Sequence, residues 1–379
     1  MIYLDHNATT AVHPEVLKTM MPFLEAQYGN PTANHRFGRK ARTAIEEARE
    51  QVALSVNAHP SQVIFTASGS EANNMIVHGV ANSYPDTHFA CSVIEHPCVS
   101  KPVESLKAKG MAMTKIPVNN QGEIQISDLS KADLNKISFL SCMAVNNETG
   151  VIQDLPKIVD VANEHNIQVH SDAVQALGKT RLDFDALGLA AMTISSHKIY
   201  GPQGVAALIV NRKIDLQPLV LGGGQESGLR SGTENLAAIV GFGKACERAR
   251  ENVVLFNESL SQLQVYLEGE LRKIGATIFG EKANRVANTT FFSIKGIDGV
   301  TLLTALDRVG FAVASGSACS SNNNEPSHVL LAMNVDEETA LSALRVSLGL
   351  TTSLDDIKNF IGALKKEVER LKQLTAMAA

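Results

Sequence analysis

The sequence predicts an α/β fold in which a mainly parallel sheet is covered by helices and a smaller α+β domain follows. Short apolar runs alternate with longer amphipathic segments along the first part of the chain. Such strand–helix alternation is typical of a parallel sheet with helices on both faces. After about residue 251 the pattern changes to a long helical stretch and a few strands. The chain has 379 residues, 44% of them hydrophobic, so it has ample apolar material for a large core.

Six short apolar runs predict buried strands of the large domain. They occupy residues 62–66, 89–93, 137–142, 167–171, 192–195 and 205–210. Helix-period segments lie between several of them. Ala41, Ala44, Ile45, Ala48 and Val52 recur at helical spacing among charged residues, and residues 156–165 form another candidate helix.

The second domain is predicted from the change of pattern near residue 252. A helical stretch over 253–274 carries leucines on one face, candidate strands follow at 289–294 and 312–314, and an amphipathic helix starts at Asp355. We therefore expect a large domain over residues 14–252 and a small domain made of residues 1–13 and 253–379.

Composition and charge narrow the class of protein. The net charge of -5 and the pI near 6.1 do not favour direct binding to nucleic acid or to an anionic membrane. No apolar run is long enough to span a bilayer, and the first residues lack the pattern of a signal peptide, so we expect a cytoplasmic protein. The five cysteines are scattered and include no C-x-x-C pair, which disfavours a disulfide framework or a structural metal site.

Lys198 follows a predicted strand in the stretch MTISSHKIYGPQG, which covers residues 192–204. Ligands of open α/β sheets bind at the carboxyl ends of strands. A lysine at such an end, followed by a Gly-Pro turn, suits a lysine that forms a Schiff base with a carbonyl group. A lone lysine is more often an ordinary surface residue, so this interpretation depends on its neighbours.

Two other strand ends support it. In IQVHSDAVQ the strand runs directly into Asp172, and Gln175 follows. A carboxylate there can pair with a pyridinium nitrogen, and an amide can bind a ring hydroxyl; the alternative for Asp172 is a helix N-cap. In FTASGSEANN a strand is followed by Gly69 and Ser70 at a helix start, where backbone N–H groups can hold a phosphate, although Ser-Gly-Ser is also an ordinary turn.

Cys319 lies in the polar segment ASGSACSSNNN. Small and polar neighbours favour an exposed, mobile loop, which suits a thiol that approaches a ligand and later visits an acceptor. The alternative, an inert buried thiol, fits Cys91 and Cys142 on their predicted strands better.

Taken together, the phosphate loop, Asp172 and Lys198 resemble the fold type I pyridoxal-phosphate enzymes. More specifically, the sequence resembles the cysteine desulfurases, and its cysteine segment resembles the NifS/IscS-like group. The motifs that carry the resemblance occur in the family's order across nearly the whole chain: YLDHNATT, NPTANHRFG, VIEHPCV, NNETG, SDAVQ, SSHKIYGPQG, LRSGTEN, SGSACSS and LRVSLG.

The resemblance implies roles for individual residues. Lys198 matches the cofactor lysine, Asp172 the partner of the pyridine nitrogen and Gln175 the ring-hydroxyl contact. His96 matches the residue that stacks on the ring and relays protons, for which the alternative is a helix-capping histidine. The remaining matches are to phosphate contacts at Gly69, Ser70, Ser195 and His197, a phosphate contact donated to the partner subunit at Thr233, substrate-carboxylate contacts at Asn147 and Arg345, and the persulfide carrier at Cys319.

The implied activity is conversion of L-cysteine to L-alanine by a pyridoxal 5′-phosphate enzyme that acts as a homodimer. The sulfur passes from Cys319 to an acceptor protein for iron–sulfur cluster assembly, tRNA thiolation or phosphorothioate modification of DNA. Ala314 departs from the usual motif, in which serine is common, and the sequence ends at LKQLTAMAA without the longer tail that docks an iron–sulfur scaffold. We therefore expect a dedicated acceptor. The alternatives are a selenocysteine lyase or related aminotransferase, and a non-catalytic regulatory relative.

Overall fold

The computed structural model describes residues 1–129, 132–315 and 325–378. The strands are β1 (Ile2–Tyr3), β2 (Val63–Thr66), β3 (Phe89–Ser92), β4 (Met113–Ile116), β5 (Phe139–Ser141), β6 (Gln168–Asp172), β7 (Ala191–Ser195), β8 (Ala206–Val210), β9 (Ala276–Ile278), β10 (Thr289–Ile294), β11 (Phe311–Ala312), β12 (Ala314–Ser315) and β13 (Ala343–Ser347). The α-helices are α1 (Pro14–Glu25), α2 (Arg36–Ser55), α3 (Gly69–Ser83), α4 (Pro97–Ala108), α5 (Ile126–Leu129), α6 (Leu155–Glu164), α7 (Phe184–Leu187), α8 (Leu236–Lys273), α9 (Gly299–Arg308), α10 (His328–Ala332), α11 (Glu337–Leu341) and α12 (Leu354–Ala378). Within these ranges every helix is too short or too polar to cross a membrane.

The central sheet has seven strands in the order β2-β8-β7-β6-β5-β3-β4. Only β8 runs against its neighbours, so the predicted mainly parallel sheet is confirmed. The reason is local: a parallel crossover needs a dozen or more residues, and the link between β7 and β8 is shorter and turns through a 3₁₀ segment at Ser196–Lys198. This link carries Lys198.

Both faces of this sheet are covered. Along β8, Ala207 and Ile209 pack into one hydrophobic cluster and Leu208 and Val210 into another. This alternation follows from the two-residue period of a strand. Helices α2, α6 and α8 contribute to the first cluster, and α3 and α4 to the second.

A separate core surrounds the four-stranded sheet β12-β13-β10-β9. It contains Leu4, Phe256, Phe292 and Phe360, drawn from the N-terminal strand segment, the second half of α8, β10 and α12. The predicted division at residue 252 falls inside α8, which runs unbroken for 38 residues from one core to the other.

Several elements differ from the sequence prediction. Helix α8 begins at Leu236 rather than at 253, since its first turns are buried on all sides and so lack an amphipathic period. The predicted strand 312–314 is two short strands, because the chain changes partner within it: β11 pairs with β1, and β12 pairs with β13. The strand β4 was not predicted because its side chains are mostly half-buried or exposed, as on other sheet edges.

Candidate active site

A cavity of about 500 Å³ lies at the carboxyl ends of the central strands. Its position follows the general rule for open α/β sheets. Most of the candidate residues line it: Gly69, Ser70, His96, Asn147, Asp172, Gln175, Ser195, His197, Lys198 and Arg345. The structure therefore brings together residues from six separate sequence motifs.

One end of the cavity has the features of an anion site. Gly69 and Ser70 open α3, with Ser68 as the N-cap, so free N–H groups and the positive end of the helix dipole point to this end. A Cβ on Gly69 would lie 3.2 Å from Cγ2 of Val174. The buried hydroxyl of Ser195 has no hydrogen-bond partner among the described residues. A phosphate group fits this set of donors.

His197 lies beside this end with a neutral ring. Its Nδ1 is 3.2 Å from Oγ1 of Thr9. Burial, followed by the nearby Lys198, lowers the pKa of His197 to about 4. The ring therefore interacts with an anion as a neutral hydrogen-bonding group near pH 7.

Asp172 ends β6 and is 5% exposed. One carboxylate oxygen accepts a hydrogen bond from Nδ2 of Asn73 at 2.8 Å, and the other accepts one from the backbone N–H of Val174 at 3.0 Å. These donors fix the orientation of the carboxylate in the cavity. The helix-cap alternative does not describe Asp172, because no helix begins at this strand end.

His96 both caps a helix and lines the cavity. It is the N-cap of α4, where its Nδ1 accepts from the backbone N–H of Cys98, and it also lines the cavity. The Sγ of Cys98 is 2.8 Å from the same nitrogen. With Nδ1 as the acceptor, the ring proton resides on Nε2. Burial lowers the pKa of His96, Asp172 partly opposes this, and Lys198 and His328 lower it further. His96 is therefore neutral near pH 7.

Lys198 reaches the cavity from the link between β7 and β8. Its Nζ donates to the backbone oxygens of Asn7 at 2.5 Å and Ala8 at 2.7 Å. The N-terminal segment thus orients the lysine from the opposite side of the cavity. This contact connects residues 191 positions apart in the chain and could not be inferred from either motif alone.

Arg345 and Asn147 meet on the wall that faces the sheet. Arg345 lies on β13, and its guanidinium donates to Oδ1 of Asp5 at 2.7 Å and to the backbone oxygen of Asn147 at 2.9 Å. The Nε of Arg345 has no partner among the described residues. A buried guanidinium with a spare donor beside a cavity suits a carboxylate ligand.

The remaining two predicted residues are Thr233 and Cys319. Thr233 is exposed and lies outside the set of residues that line it. Cys319 lies outside the described residues. Its described C-terminal flank, residues 325–328, does line the cavity, and the hydroxyl of Ser327 donates to a carboxylate oxygen of Glu148 there.

Sequence reasoning missed several residues that shape the site. Asn7, Asn73, Cys98, Glu148 and His328 all line the cavity. The first two are buried, and buried amides are normally hydrogen-bonded for a structural reason. An asparagine inside the quoted motifs YLDHNATT and ASGSEANN was the available signal. Among the described residues no group of three His, Cys, Asp or Glu side chains is arranged to hold a metal ion.

The chain was compared with known proteins. The family model for aminotransferase class-V matches residues 2–360. A curated relative, cysteine desulfurase IscS of Dictyoglomus turgidum, is 40% identical over 99% of this chain and 96% of its own length. A solved NifS-like protein has a TM-score of 0.92 and 32% identity, covering 98% of this chain and 100% of its own.

A second solved structure, described as SspA in complex with cysteine, has a TM-score of 0.83 and 32% identity over 92% of this chain and 99% of its own. These likenesses span the chain rather than one motif, and they favour a desulfurase over a selenocysteine lyase or another aminotransferase. The chain therefore belongs to the aminotransferase class-V family and, within it, to the cysteine desulfurases of the NifS/IscS-like group.

Proposed function

We propose that the chain carries the sulfur of L-cysteine as a persulfide on Cys319, releases L-alanine and passes the sulfur to an acceptor protein. As a cysteine desulfurase the chain uses pyridoxal 5′-phosphate, which when bound withdraws electrons from the substrate and opens its sulfur to attack. The observation that supports the residue assignments best is the convergence of Asp172, Lys198 and Arg345 on one cavity.

One set of these residues is assigned to the cofactor and another to the substrate. Gly69, Ser70, Ser195 and His197 hold the phosphate, and Asp172 pairs with the ring nitrogen. Lys198 would hold the cofactor and would also be the base that takes the proton from the substrate Cα. The ordinary pKa of a lysine is about 10.4. A lysine that takes a proton from a substrate near pH 7 needs a lower pKa.

Arg345 and Asn147 hold the substrate carboxylate. Because Arg345 lines the cavity and carries a positive charge, we assign its guanidinium to the carboxylate. His96, with its proton on Nε2, is placed to give and take protons on the cofactor side.

The sulfur step needs no outside oxidant or reductant. The Cys319 thiolate attacks the substrate sulfur, an S–S bond forms, and the C–S bond breaks. The electron pair of that bond stays with the carbon skeleton, which takes a proton and leaves as alanine. One cysteine and one protein thiol thus give one alanine and one persulfide.

Alanine and sulfide formed from L-cysteine in the presence of dithiothreitol test this proposal. Wild-type protein should release both in equal amounts. Cys319→Ser should release neither while retaining the absorbance of the bound cofactor, and the matched variant Cys98→Ser should retain turnover. Full turnover by Cys319→Ser would contradict the assignment, as would selenocysteine activity without cysteine activity.

We also propose a two-fold homodimer in which Thr233 reaches the phosphate of the partner subunit. Two observations support it: the exposure of Thr233 and its absence from the described lining of its own chain's cavity. Closed two-fold dimers are also the commonest soluble assembly. Light scattering should give twice the chain mass of 40.6 kDa; a fully active monomer would contradict the dimer.

The acceptor is proposed to be a protein with an exposed cysteine. Persulfide sulfur moves by thiol exchange, and the net charge of -5 disfavours direct contact with tRNA or DNA. Iron–sulfur assembly, tRNA thiolation and DNA phosphorothioate modification remain the candidate pathways. Transfer of radiolabelled sulfur from the persulfide to captured partners should label one acceptor. If a general iron–sulfur scaffold is the one labelled, the dedicated pathway is wrong.

The division into domains at residue 252 is also a proposal. The two separate hydrophobic cores support it, and the unbroken α8 indicates that the parts share one rigid helix. Limited proteolysis should cut within neither half of α8.

A further inference from the structure

Lys179 is a buried lysine that the proposed reaction does not use. It is 5% exposed and lies four residues after Gln175 in the sequence. Its Nζ donates to Oε1 of Gln175 at 2.6 Å and to Oδ1 of Asn7 at 2.9 Å. Burying a lysine costs free energy unless its N–H groups are hydrogen-bonded. These two contacts therefore compensate for the burial of Lys179.

Asn7, Gln175 and Lys179 form a closed hydrogen-bonded ring, here called the polar triangle. The third side is the bond from Nε2 of Gln175 to the backbone oxygen of Asn7 at 2.9 Å. Asn7 is itself fixed, because its side chain also donates to Oγ1 of Thr289 at 2.9 Å and accepts from Nδ2 of Asn288 at 3.1 Å.

The polar triangle permits one orientation of the Gln175 amide. A flipped amide would point its NH₂ group at the Nζ donor of Lys179 and its oxygen at the carbonyl oxygen of Asn7. Both contacts would be repulsive. The observed orientation leaves the second N–H of Gln175 without a partner among the described residues, and Gln175 lines the cavity.

The polar triangle also touches Lys198. The backbone oxygen of Asn7 accepts from Nζ of Lys198 at 2.5 Å as well as from Gln175. Gln175 and Lys198 therefore share one acceptor, the backbone oxygen of Asn7.

We propose that Lys179 is a positioning residue that holds the Gln175 amide with an N–H group aimed at the ring oxygen of the cofactor. The inference rests on the proposed role of Gln175. It extends that role by naming the group that fixes the amide, and it gives Lys179 no contact with substrate or cofactor.

The orientation does not depend on the charge of Lys179. Burial, followed by the nearby Lys198 and Arg345, lowers its pKa, and among the described residues no carboxylate lies within ion-pair distance of it. Both an ammonium and a neutral amine donate hydrogen bonds. In the neutral form a flipped Gln175 amide is still opposed by the contact between its oxygen and the carbonyl oxygen of Asn7.

A titration of the bound cofactor separates this proposal from a structural role. A donor to the ring oxygen draws charge from it and disfavours the proton that the oxygen shares with the adjacent lysine–cofactor nitrogen. Lys179→Met should therefore move the midpoint of the pH-dependent visible absorbance to higher pH. It should also weaken cofactor binding by about tenfold or more, the value of one hydrogen bond to a charged group.

A double-mutant cycle with Gln175→Ala supplies the discriminating result. Gln175→Ala alone should shift the midpoint in the same direction. Adding Lys179→Met to it should change the midpoint and the dissociation constant by less than about twofold, because no amide is left to orient. Equal effects of Lys179→Met in both backgrounds would mean that it acts by charge or stability, and the proposal would be wrong.

Failures of the two proposals are distinguishable. No shift in Gln175→Ala would refute the role of Gln175 itself. A shift in Gln175→Ala with none in Lys179→Met would refute only the role of Lys179. If Lys179→Met does not fold, Lys179→Leu also removes the donor and should give the same shift, and an unshifted midpoint would count against the proposal. Lys157→Met, at a surface lysine paired with Asp154, is the control and should leave both readouts unchanged.

Discussion

The two walls of the cofactor cavity are built in different ways. The strand-end wall (Gly69, Ser70, Asp172, Ser195 and Lys198) consists of residues that lie at the carboxyl ends of strands of the central sheet or within a few residues after them. The assembled wall (Asn7, Asn147 and Arg345) comes from segments far apart in sequence. Its central ion pair, between Arg345 and Asp5, joins residues 340 positions apart.

This difference predicts which substitutions change activity alone and which change activity and stability together. On the strand-end wall the backbone is fixed by the sheet ladder and two hydrophobic clusters, so a side chain can change with little loss of fold. On the assembled wall the same hydrogen bonds that present the substrate groups also hold the segments together. Substitutions there should alter substrate binding and stability jointly.

The largest effect is expected at Lys198 on the strand-end wall. Lys198→Ala should lower turnover by about a thousandfold or more, since it removes a proton-transfer group, and should abolish the covalent cofactor absorbance. The denaturation midpoint should change little. Alanine release and urea denaturation measure the two properties. The control Lys157→Ala should retain both, and borohydride labelling of another lysine would contradict the assignment.

The next effect is expected at Arg345 on the assembled wall. Arg345→Met should lower kcat/KM for L-cysteine by about a hundredfold or more, as expected for loss of a buried charged contact. It should also destabilise the fold by about 3–5 kcal/mol, because Asp5 is left without its partner. The cofactor absorbance should persist.

Arg285→Met is the matched control for this prediction. Arg285 is partly buried, with 9% of its side chain exposed, and pairs with Glu268 at 2.9 Å, but among the described residues it is not in the cavity lining. The Arg285→Met variant should be less stable than wild type but should keep the wild-type KM for L-cysteine. If both arginine variants behave alike, the two walls do not differ as described.

The same contrast explains what the sequence could predict. The strand ends at Asp172 and Lys198 follow from hydrophobic runs and their next few residues, so local patterns were sufficient. The meeting of Asn7, Asn147 and Arg345 depends on how two sheets pack, and no local pattern encodes it. Only the family resemblance indicated the roles of Asn147 and Arg345. Asn7 lies in the motif YLDHNATT, but no local pattern gives its partners, and nothing near Lys179 marks a polar contact.

A smaller effect is expected at Glu95, which lies beneath the strand-end wall. Burial, partly opposed by the backbone N–H of Met143 and reinforced by Asp172, raises the pKa of Glu95 to about 8. A raised carboxyl pKa stabilises the fold at pH values below the unfolded pKa. That stabilisation is lost as the pH rises through about 8.

Between pH 5 and pH 8.5, the free energy of unfolding of wild type should therefore fall by about 1–4 kcal/mol more than that of Glu95→Gln. Urea denaturation at several pH values measures the difference. Parallel stability profiles for the two proteins would show that Glu95 is not buried as a neutral acid, and the rigidity assigned to the strand-end wall would need revision.

Mapping of the persulfide tests the central claim most directly. Wild-type protein is incubated with L-cysteine, without reductant, and every cysteine-containing peptide is examined by mass spectrometry after the thiols are blocked. The extra sulfur should reside on Cys319 and be absent from Cys98, the cysteine that lines the cofactor cavity and whose pKa is raised by burial. Sulfur on Cys98, or persulfide formed normally by Cys319→Ser, would contradict the account.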